Sequence, residues 1–374
     1  MSDYPTSDKP RVAIVFGGRS SEHAVSCSTA ASVLQAIDRG RFDVVPIGIA
    51  RDGRWVLVED DPEPLRLSAG HTPEVDGSGR GVVVPLGTEQ HALTVLEPGQ
   101  LPAELGTVDV VFPLLHGPFG EDGTIQGLLD LADLRYVGSG VTASAVMMDK
   151  AFMKVVFASA GLPVGPHVTI TDKAWRTDSA GSMEAVAALG WPVFVKPARA
   201  GSSMGISRVD GPDGLEAAII AAREHDPKVV VEAAIVGREI ECGVLEGHGD
   251  GPVRTSELGE ATVVKGHQFY DFEAKYLAAD DVVLTCPADV PAEVAQEIRR
   301  QAVVAFLAAG CEGLARADFF YTQDGRVIIN EINTMPGFTP SSMYPLMWAA
   351  SGLAYPELIG ELVDLALERR TGLR

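Results

Sequence analysis

The chain is poor in cysteine and in aromatic residues, and it contains no long apolar run. Its 374 residues include 4 cysteines, and aromatic residues make up 6% of the sequence. The thiols are widely spaced, form no CxxC pair and have no neighbouring histidine pattern, which argues against zinc and predicts reduced core cysteines. No segment approaches the roughly 20 apolar residues of a transmembrane helix, and the N-terminus MSDYPTSDKP lacks the basic and apolar regions of a signal peptide. We therefore expect a cytoplasmic protein with no membrane partner.

Positive charge is also scarce. The sequence has 30 Lys and Arg residues against 51 Asp and Glu residues, which gives a net charge of -21 and a pI near 4.7. This balance disfavours nucleic acid and anionic membranes as partners, so a phosphate-binding pocket would have to be built from a few local basic residues. With 46% apolar residues and a mean hydropathy of +0.13, the chain is expected to form a well-packed protein of two or three domains.

Strand and helix signals alternate along the chain and predict an α/β fold. About the first 140 residues are expected to form an open α/β domain, with small strands and loops between 51 and 106. Two further α/β modules follow. The expected strands lie at 11–16, 43–49, 108–114, 167–170, 192–196, 228–232 and 239–245, and the expected helices lie at 22–37, 149–160, 292–309 and 356–369.

A strong turn signal, Asp324-Gly325, lies between two β-prone runs at 315–321 and 326–332. A two-residue turn of this type predicts a β-hairpin. Counting back from the turn fixes which residues of the two runs face each other, and side chains two apart along a strand share a face. The resulting pairs on one face are Asp318 with Glu331 and Arg316 with Asn333.

The opposed carboxylates of Asp318 and Glu331 repel each other, so a protein that keeps both ionised is expected to place positive charge between them. Together with Asn333 they offer only oxygen donors, which favour Mg²⁺ or Mn²⁺ over zinc. Mg²⁺ held by so few carboxylates usually shares its coordination shell with nucleotide phosphates. The alternative is an ordinary solvated acidic face of the hairpin.

A Gly- and Ser-rich loop follows the apolar strand that ends at Lys196. Its sequence, PARAGSSMG, has small residues at Gly201, Ser202, Ser203 and Gly205, which let backbone N–H groups approach phosphate oxygens while the lysine adds a positive charge. The loop lacks the GxxxxGK[ST] pattern and is therefore not a P-loop. An ordinary flexible turn is the alternative.

Other polar residues stand at strand ends. Glu232 and Glu239 flank a turn at Gly237, and they are suited either to accept hydrogen bonds from adenine and ribose or to be solvated carboxylates. His116 lies where a strand enters the Gly-rich run LLHGPFGEDG, and it is either structural or catalytic.

Seven motifs follow one another along the chain. They are GGRSSEH at 17–23, LLHGPFGEDGTIQG at 114–127, MDK at 148–150, FVKPARAGSSMG at 194–205, DFEAKY at 271–276, ARAD at 315–318 and INEINTMPGFTPSS at 329–342. Together they resemble the D-alanine-D-alanine ligases of the ATP-grasp superfamily, from about residue 11 to about residue 365. The resemblance implies a three-domain ATP-grasp architecture. Its parts are an N-terminal open α/β, Rossmann-like, substrate-binding domain at 1–143, a central ATP-grasp subdomain at 144–237 and a C-terminal ATP-grasp subdomain with the lid loop and metal site at 238–374.

The resemblance further implies that ATP phosphorylates the carboxylate of one D-alanine. The amine of a second D-alanine then attacks the acyl phosphate, giving ADP, phosphate and D-alanyl-D-alanine for peptidoglycan precursors. Such a reaction is catalysed by positioning and electrostatic stabilisation, for which two Mg²⁺ (or Mn²⁺) ions are suited. Two alternatives stay open: an acceptor other than D-alanine, namely D-lactate or D-serine, or an ATP-binding regulatory protein without ligase activity.

Individual roles are implied by the same resemblance. Glu331 is expected to bridge the two metal ions, with Asp318 and Asn333 as further ligands. Glu22 is expected to hold the ammonium of the first D-alanine, and His116 is expected to lie beside that substrate.

The remaining implied roles concern ATP and the reacting groups. ATP is expected to contact Lys150, Lys196, Lys275, Ser202, Ser203, Glu232, Ala233, Ile235 and Glu239. The oxyanion of the tetrahedral intermediate is expected to meet Arg316 and the backbone N–H of Gly337, and the carboxylate of the second D-alanine is expected to meet Ser342 and Met343.

The loop at 264–279 is expected to act as a lid that excludes water from the acyl phosphate, with Ser202 and Tyr276 linking it to Glu22. Its Lys275-Tyr276 dipeptide resembles that of dipeptide-forming relatives, which favours D-alanine as the acceptor. Ala233 departs from some relatives, which carry lysine there. The resemblance also implies a homodimer.

Overall fold

The structure, a computed structural model of the chain, describes residues 8–68, 70–86, 92–263 and 282–372. Within these ranges the strands form three sheets of seven, four and five strands, with helices packed between and around them. The α/β class predicted from the sequence is confirmed. None of the described helices is both long enough and apolar enough to cross a bilayer.

The first sheet is built from the N-terminal part of the chain. Its elements are β1 (Arg11–Gly17), α1 (His23–Ala36), β2 (Asp43–Ile49), β3 (Trp55–Leu57), β4 (Gly81–Val83), β5 (Ala92–Leu96), β6 (Ala103–Thr107), β7 (Val110–Pro113) and α2 (Thr124–Leu131). The strand order is β6-β5-β4-β3-β2-β1-β7, with β1 parallel to both β2 and β7. Because β1 lies between two parallel strands and is buried along its length, its run RVAIVFG is almost continuously apolar. Small strands β3 to β6 extend the sheet in antiparallel fashion, as predicted for residues 51–106.

The second sheet is a four-stranded antiparallel unit in the middle of the chain. Its elements are α3 (Val141–Met148), α4 (Lys150–Ser159), β8 (His167–Ile170), α5 (Asp172–Thr177), α6 (Ser179–Ala187), β9 (Val193–Pro197), β10 (Ser207–Val209), α7 (Leu215–Arg223) and β11 (Val229–Ala233). The strand order is β10-β9-β11-β8. The strands predicted at 167–170, 192–196 and 228–232 are confirmed to within one residue.

The third sheet holds the predicted hairpin. Its elements are β12 (Gly237–Leu245), β13 (Arg254–Val263), β14 (Val282–Thr285), α8 (Ala292–Ala309), β15 (Leu314–Thr322) and β16 (Val327–Asn333), followed by α9 (Met343–Ala350) and α10 (Tyr355–Glu368). The antiparallel strand order is β14-β13-β12-β15-β16. Helix α8 covers one face with Val294, Ile298 and Phe306, and it ends at Gly310 in the left-handed conformation (φ 63°).

The turn of the β15-β16 hairpin differs from the prediction. Thr322 N–H donates to the Arg326 carbonyl (3.0 Å), so the loop holds three residues and not the two-residue turn Asp324-Gly325. Gly325 adopts φ 82°, the left-handed residue that closes such three-residue loops. The pairs nearest the turn are consequently shifted by one residue from the predicted register.

A β-bulge at Asn330 then compensates for the shift. Phe319 pairs with Ile329 while Asp318 pairs with Glu331, which leaves Asn330 as the extra residue. Beyond the bulge, the pairs predicted from the sequence, Asp318 with Glu331 and Arg316 with Asn333, are confirmed. The predicted face is therefore correct, because the one-residue shift at the turn and the extra residue at Asn330 cancel each other.

The two ends of the chain share one hydrophobic core. Helix α10 packs against α1 and β7, and its Leu358 and Leu362 join Phe16 of β1 and Phe112 of β7 in one core. Phe338, just before α9, makes an edge-to-face contact with Phe112 at 5.9 Å between ring centroids. The segment between β16 and α9 is thereby held against the N-terminal sheet, and the backbone of its Met335 lies beside His116 and Glu121 of the second motif.

Candidate active site

A cavity of about 520 Å³ is lined by strands of both the second and the third sheet. It collects residues from Glu121 to Thr334, as expected of a ligand pocket built from segments that are distant in sequence. The residues singled out from the sequence that border it are Lys150, Lys196, Ser202, Ser203, Glu232, Ala233, Ile235, Glu239, Arg316, Asp318, Glu331 and Asn333. Lys275 and Tyr276, with the whole loop at 264–279, lie outside the described residues.

On the third sheet, acidic side chains form a row across three adjacent strands. Glu241 of β12 pairs with Asp318 of β15, which pairs with Glu331 of β16. Asn333 donates its amide N–H to Asp318 Oδ2 at 3.0 Å. Glu241 was not singled out from the sequence, because only the strand order places β12 beside the hairpin.

Arg316 lies within this acidic row. Its Nε and Nη2 atoms donate to the two carboxylate oxygens of Asp318, both at 2.7 Å, and its Nε lies 2.9 Å from Glu241 Oε2. Burial works against the charged guanidinium, but Asp318 and Glu241 outweigh it and hold the pKa of Arg316 well above its ordinary value. The arginine is therefore fully charged and held from two sides.

The donor set fits a hard divalent cation that also binds a nucleotide. Asp318, Glu331 and Asn333 supply oxygen atoms on neighbouring strands of one sheet. In the described part of the chain, no cluster of three or more His, Cys, Asp or Glu side chains is arranged to hold a metal by itself. Two carboxylates and an amide suit Mg²⁺, which usually completes its shell with water and substrate phosphates.

On the second sheet, Glu232 is held between two lysines. Its carboxylate oxygens lie 3.1 Å from Lys154 Nζ and 2.9 Å from Lys196 Nζ. Burial alone would raise the pKa of Glu232, but the ammonium groups of Lys196 and Lys154 outweigh it and lower the pKa to about 2. Glu232 is thus a permanent anion whose two oxygens already accept from lysines. Lys154 was overlooked in the sequence, although it follows Lys150 by one helical turn and so lies on the same face of α4.

The start of α4 is tied to the Gly/Ser loop. Asp149 caps the helix by accepting from the backbone N–H groups of Ala151 and Phe152. Lys150 Nζ donates to the Ala200 carbonyl at 2.8 Å, and burial lowers its pKa. Of the three lysines predicted to contact ATP phosphates, Lys150 and Lys196 border this cavity, and Lys275 lies outside the described residues.

The Gly/Ser loop itself has an unusual backbone. Ser202 and Ser203 both adopt left-handed conformations, with φ 48° and 58°, which is uncommon for residues with a side chain. Arg199 at its base is anchored by Asp226, which accepts from the arginine side chain at 2.8 Å and from its backbone N–H at 2.9 Å. Such local strain persists where the surrounding structure enforces it, and it is concentrated at ligand-binding sites.

Glu22 joins the N-terminal sheet to this loop. It precedes α1 and is buried, and Ser202 Oγ donates a hydrogen bond to its Oε1. A Cβ on Gly117 would collide with Glu22 Oε2, and one on Gly201 would come within 2.9 Å of the same atom. Gly117 and Gly201 therefore leave the space that the Glu22 carboxylate occupies between the LLHGPFGEDG run and the Gly/Ser loop.

His116 is buried beside Glu22. Its Nε2 lies 3.2 Å from Thr29 Oγ1, and burial lowers its pKa despite the attraction of Glu22, so the imidazole is neutral near pH 7. Glu121, a residue overlooked in the sequence, lies on the same loop and accepts the Gly117 N–H at 2.8 Å. Burial and the nearby Glu22 carboxylate raise the pKa of Glu121 to about 8.

This raised pKa gives the stability of the protein a defined pH dependence. Between about pH 4.5 and about pH 8 the folded state keeps a proton on Glu121 that the unfolded chain has lost, so stability falls as pH rises through that window. We expect Glu121→Gln to raise the thermal unfolding midpoint relative to wild type more at pH 8.5 than at pH 5. Calorimetric melts of both proteins at each pH measure this. The same difference at both values would contradict the assignment.

The last group of predicted residues lies at the N-terminus of α9. Ser342 is the N-cap residue, and its Oγ accepts from the Thr339 N–H at 3.1 Å and lies 2.8 Å from Thr339 Oγ1. Gly337 is adjacent, since a Cβ there would lie 3.2 Å from Ser342 Oγ. The side chain of Met343 is buried against Gly259 of β13, so only its backbone faces the helix terminus. Free N–H groups at a helix start suit a carboxylate.

Comparisons with known proteins agree on one family. Two family models match the chain, "D-ala D-ala ligase N-terminus" over residues 11–139 and "D-ala D-ala ligase C-terminus" over residues 156–364. A D-alanine-D-alanine ligase of Arthrobacter sp. (strain FB24) is 64% identical over 371 residues, covering 99% of this chain and 97% of the relative.

Two solved structures resemble the fold closely. The D-alanine-D-alanine ligase of Coxiella burnetii has a TM-score of 0.81 at 34% identity and covers 97% of this chain and 95% of its own. The VanG D-Ala:D-Ser ligase of Enterococcus faecalis has the same TM-score and identity, covering 96% and 100% respectively. The similarity thus spans the chain from the N-terminal sheet to the last helix.

Proposed function

The chain belongs to the D-alanine-D-alanine ligase family, and on that basis we propose that it joins two D-alanine molecules to D-alanyl-D-alanine while converting ATP to ADP and phosphate. One observation from the geometry carries the proposal. Lys150, Lys196 and the acidic row with Arg316 border the same cavity, so the groups proposed to bind phosphate and metal face one space. That arrangement suits phosphoryl transfer to a carboxylate.

ATP is proposed to bind in the cavity, with its phosphates at Lys150, Lys196 and the N–H groups of the Gly/Ser loop. Glu239 and the backbone of 233–235 are proposed to hold the ribose and adenine. Glu232 forms ion pairs that keep Lys154 and Lys196 charged and in place. It is also proposed to contact the adenine. Ser203 shares the left-handed backbone that directs the loop's N–H groups. Lys275 is assigned by the family motif alone.

The metal ligands are proposed to be Asp318, Glu331 and Asn333, with Glu331 bridging two Mg²⁺ (or Mn²⁺) ions. When bound, the ions neutralise charge on the phosphates during transfer. The chain's own contribution is to fix the ligands: Asp318 and Glu331 are paired across two strands, and the Asn330 bulge sets the register that brings them together.

The amino-acid substrates are proposed to lie between the cavity and the start of α9. Glu22 holds the ammonium of the first D-alanine, with the neutral His116 beside it. Arg316 and the Gly337 N–H stabilise the oxyanion that forms when the second amine attacks the acyl phosphate. Ser342 and the backbone of Met343 receive the second carboxylate. Tyr276, with Ser202, is assigned to closing the lid, which keeps water from the acyl phosphate.

The domain limits proposed from the sequence are 1–143, 144–237 and 238–374, with the qualification that α10 packs in the N-terminal core. A homodimer in the cytoplasm, acting on small molecules and not on nucleic acid or membranes, completes the proposal. Neither a D-lactate or D-serine ligase nor a non-catalytic ATP-binding protein is favoured, since the relative of 64% identity is named a D-alanine-D-alanine ligase.

Phosphate release from ATP by the purified protein tests the proposal. With Mg²⁺ present, we expect release to require D-alanine and to be absent with L-alanine, because Glu22 and Arg316 must hold one enantiomer in line with the phosphate. Phosphate release that is equally fast with and without a D-amino acid would overturn the proposed function.

A further inference from the structure

Glu241 is a buried carboxylate in the cavity wall, and it is not among the residues proposed to bind ATP, metal or D-alanine. It lies on β12 opposite Asp318, and the whole residue is 5% exposed. A buried carboxylate is costly unless it is paired, so its partner indicates its function. One charged partner is Arg316, whose Nε lies 2.9 Å from Glu241 Oε2.

Arg316 is shared between two acids with different tasks. Asp318 accepts from its Nε and Nη2, both at 2.7 Å, and thereby commits both carboxylate oxygens to the guanidinium. As a proposed metal ligand, the same Asp318 must offer an oxygen to a divalent cation, which repels a guanidinium at this distance. Arginine and metal therefore compete for Asp318, and the competition depends on what else can hold the arginine.

Glu241 itself does not complete a metal site. Although Glu241, Asp318 and Glu331 lie in one row, no cluster of three carboxylates within the described residues converges on a cation position. Glu241 instead forms an ion pair with the guanidinium of Arg316. Of the three carboxylates in the row, Asp318 and Glu331 are therefore assigned to the metal, and Glu241 is assigned to the arginine.

We propose that Glu241 is a positioning residue that draws Arg316 away from Asp318, so that Asp318 is available to the metal and the guanidinium is aimed at the reacting carboxylate. The inference rests on the proposed metal ligands of the ligase. Because Nε donates to Asp318 but already lies 2.9 Å from Glu241 Oε2, a small rotation toward Glu241 keeps the arginine charge paired while it releases the oxygens of Asp318. Both the metal affinity and the direction of Arg316 then depend on a side chain that touches neither metal nor substrate.

The test is Mn²⁺ binding to the full-length protein in the presence of a non-hydrolysable ATP analogue, measured by the electron paramagnetic resonance signal of free Mn²⁺. In Glu241→Gln, Arg316 loses the attraction of Glu241 and keeps its two hydrogen bonds to Asp318, so we expect the Kd for Mn²⁺ to rise about tenfold, the usual size of an outer-shell effect. The Mg²⁺ concentration for half-maximal activity should rise in parallel, and added Mg²⁺ should recover part of kcat.

Two comparisons separate positioning from simple loss of charge. Glu260→Gln neutralises another carboxylate that borders the cavity, but its partner is Arg238, with two 2.7 Å hydrogen bonds, so we expect its Kd to stay within about twofold of wild type. In an Arg316→Met background there is no guanidinium to hold, so adding Glu241→Gln should no longer weaken Mn²⁺ binding by more than about twofold.

The measured Kd values test the positioning role of Glu241 separately from the proposed metal site. An unchanged Kd in Glu241→Gln, or an equal loss with and without Arg316, overturns the positioning role. Should Glu241→Gln fail to fold, Glu241→Asp retracts the carboxylate by one methylene, and a Kd raised about threefold supports the role while an unchanged Kd refutes it. A wild-type protein that binds no Mn²⁺ with the nucleotide analogue would instead refute the proposed metal site itself.

Discussion

Glu331→Gln is expected to lower kcat by at least about a thousandfold while the protein still folds. Glutamine keeps the shape of the side chain but removes the charge proposed to bridge two metal ions, and without that charge the transferring phosphoryl group loses its main electrostatic support. Measurement of D-alanine-dependent phosphate release at saturating ATP and Mg²⁺ gives kcat, and circular dichroism with a thermal melt reports the fold.

The matched control is Asp324→Asn, which removes a carboxylate from the exposed turn of the same hairpin. Its kcat should remain within about twofold of wild type, because surface changes of this kind cost little. If Glu331→Gln retained near wild-type turnover, Glu331 would not be a metal ligand, and the acidic pair would be an ordinary feature of the sheet.

Arg316→Lys is expected to reduce kcat and kcat/KM together by about two to three orders of magnitude, with little change in the KM for ATP. Lysine keeps the positive charge but cannot make the two parallel hydrogen bonds to Asp318 while also contacting Glu241 and an oxyanion. An interaction realised only in the transition state affects both constants equally.

Steady-state kinetics with D-alanine and ATP varied separately measure this effect. Arg326→Lys, on the exposed turn of the hairpin, is the comparison for loss of a guanidinium as such, and it should behave as wild type. A rise confined to the KM of ATP in Arg316→Lys would assign the arginine to ground-state nucleotide binding and would contradict its role at the oxyanion.

Sequence patterns located most elements because their signals are local. The helix at Ala292–Ala309 and the strand at His167–Ile170 match the predicted bounds, since each has its own periodicity and end signals. The turn of the hairpin was missed by one residue, because three-residue loops with a left-handed Gly325 share the Asp-Gly signal with two-residue turns. Only the Asn330 bulge, which has no sequence signature of its own, restored the register at Asp318.

The residues that were overlooked depend on long-range packing. The role of Glu241 depends on the placement of β12 beside β15. The raised pKa of Glu121 depends on the burial of its side chain near Glu22. Neither relation leaves a local pattern. Lys154 could have been found from its spacing to Lys150 on one face of a helix, but its pairing with Glu232 depends on how α4 meets β11.

The packing of α10 on the N-terminal sheet likewise could not be predicted from the sequence. Its amphipathic pattern predicted a helix but not the surface it would cover. The contact of Leu358 and Leu362 with the N-terminal core shows that the chain closes on itself, so a domain boundary drawn by sequence position alone separates residues that pack together.

Product analysis under competition between acceptors tests whether the protein joins D-alanine to D-alanine. The protein is incubated with ATP, Mg²⁺, D-alanine and equal concentrations of D-serine and D-lactate, and the products are identified by mass spectrometry. We expect D-alanyl-D-alanine as the main product, formed in proportion to the ADP released. D-alanyl-D-serine or D-alanyl-D-lactate as the main product, or ADP without any ligated product, would contradict it.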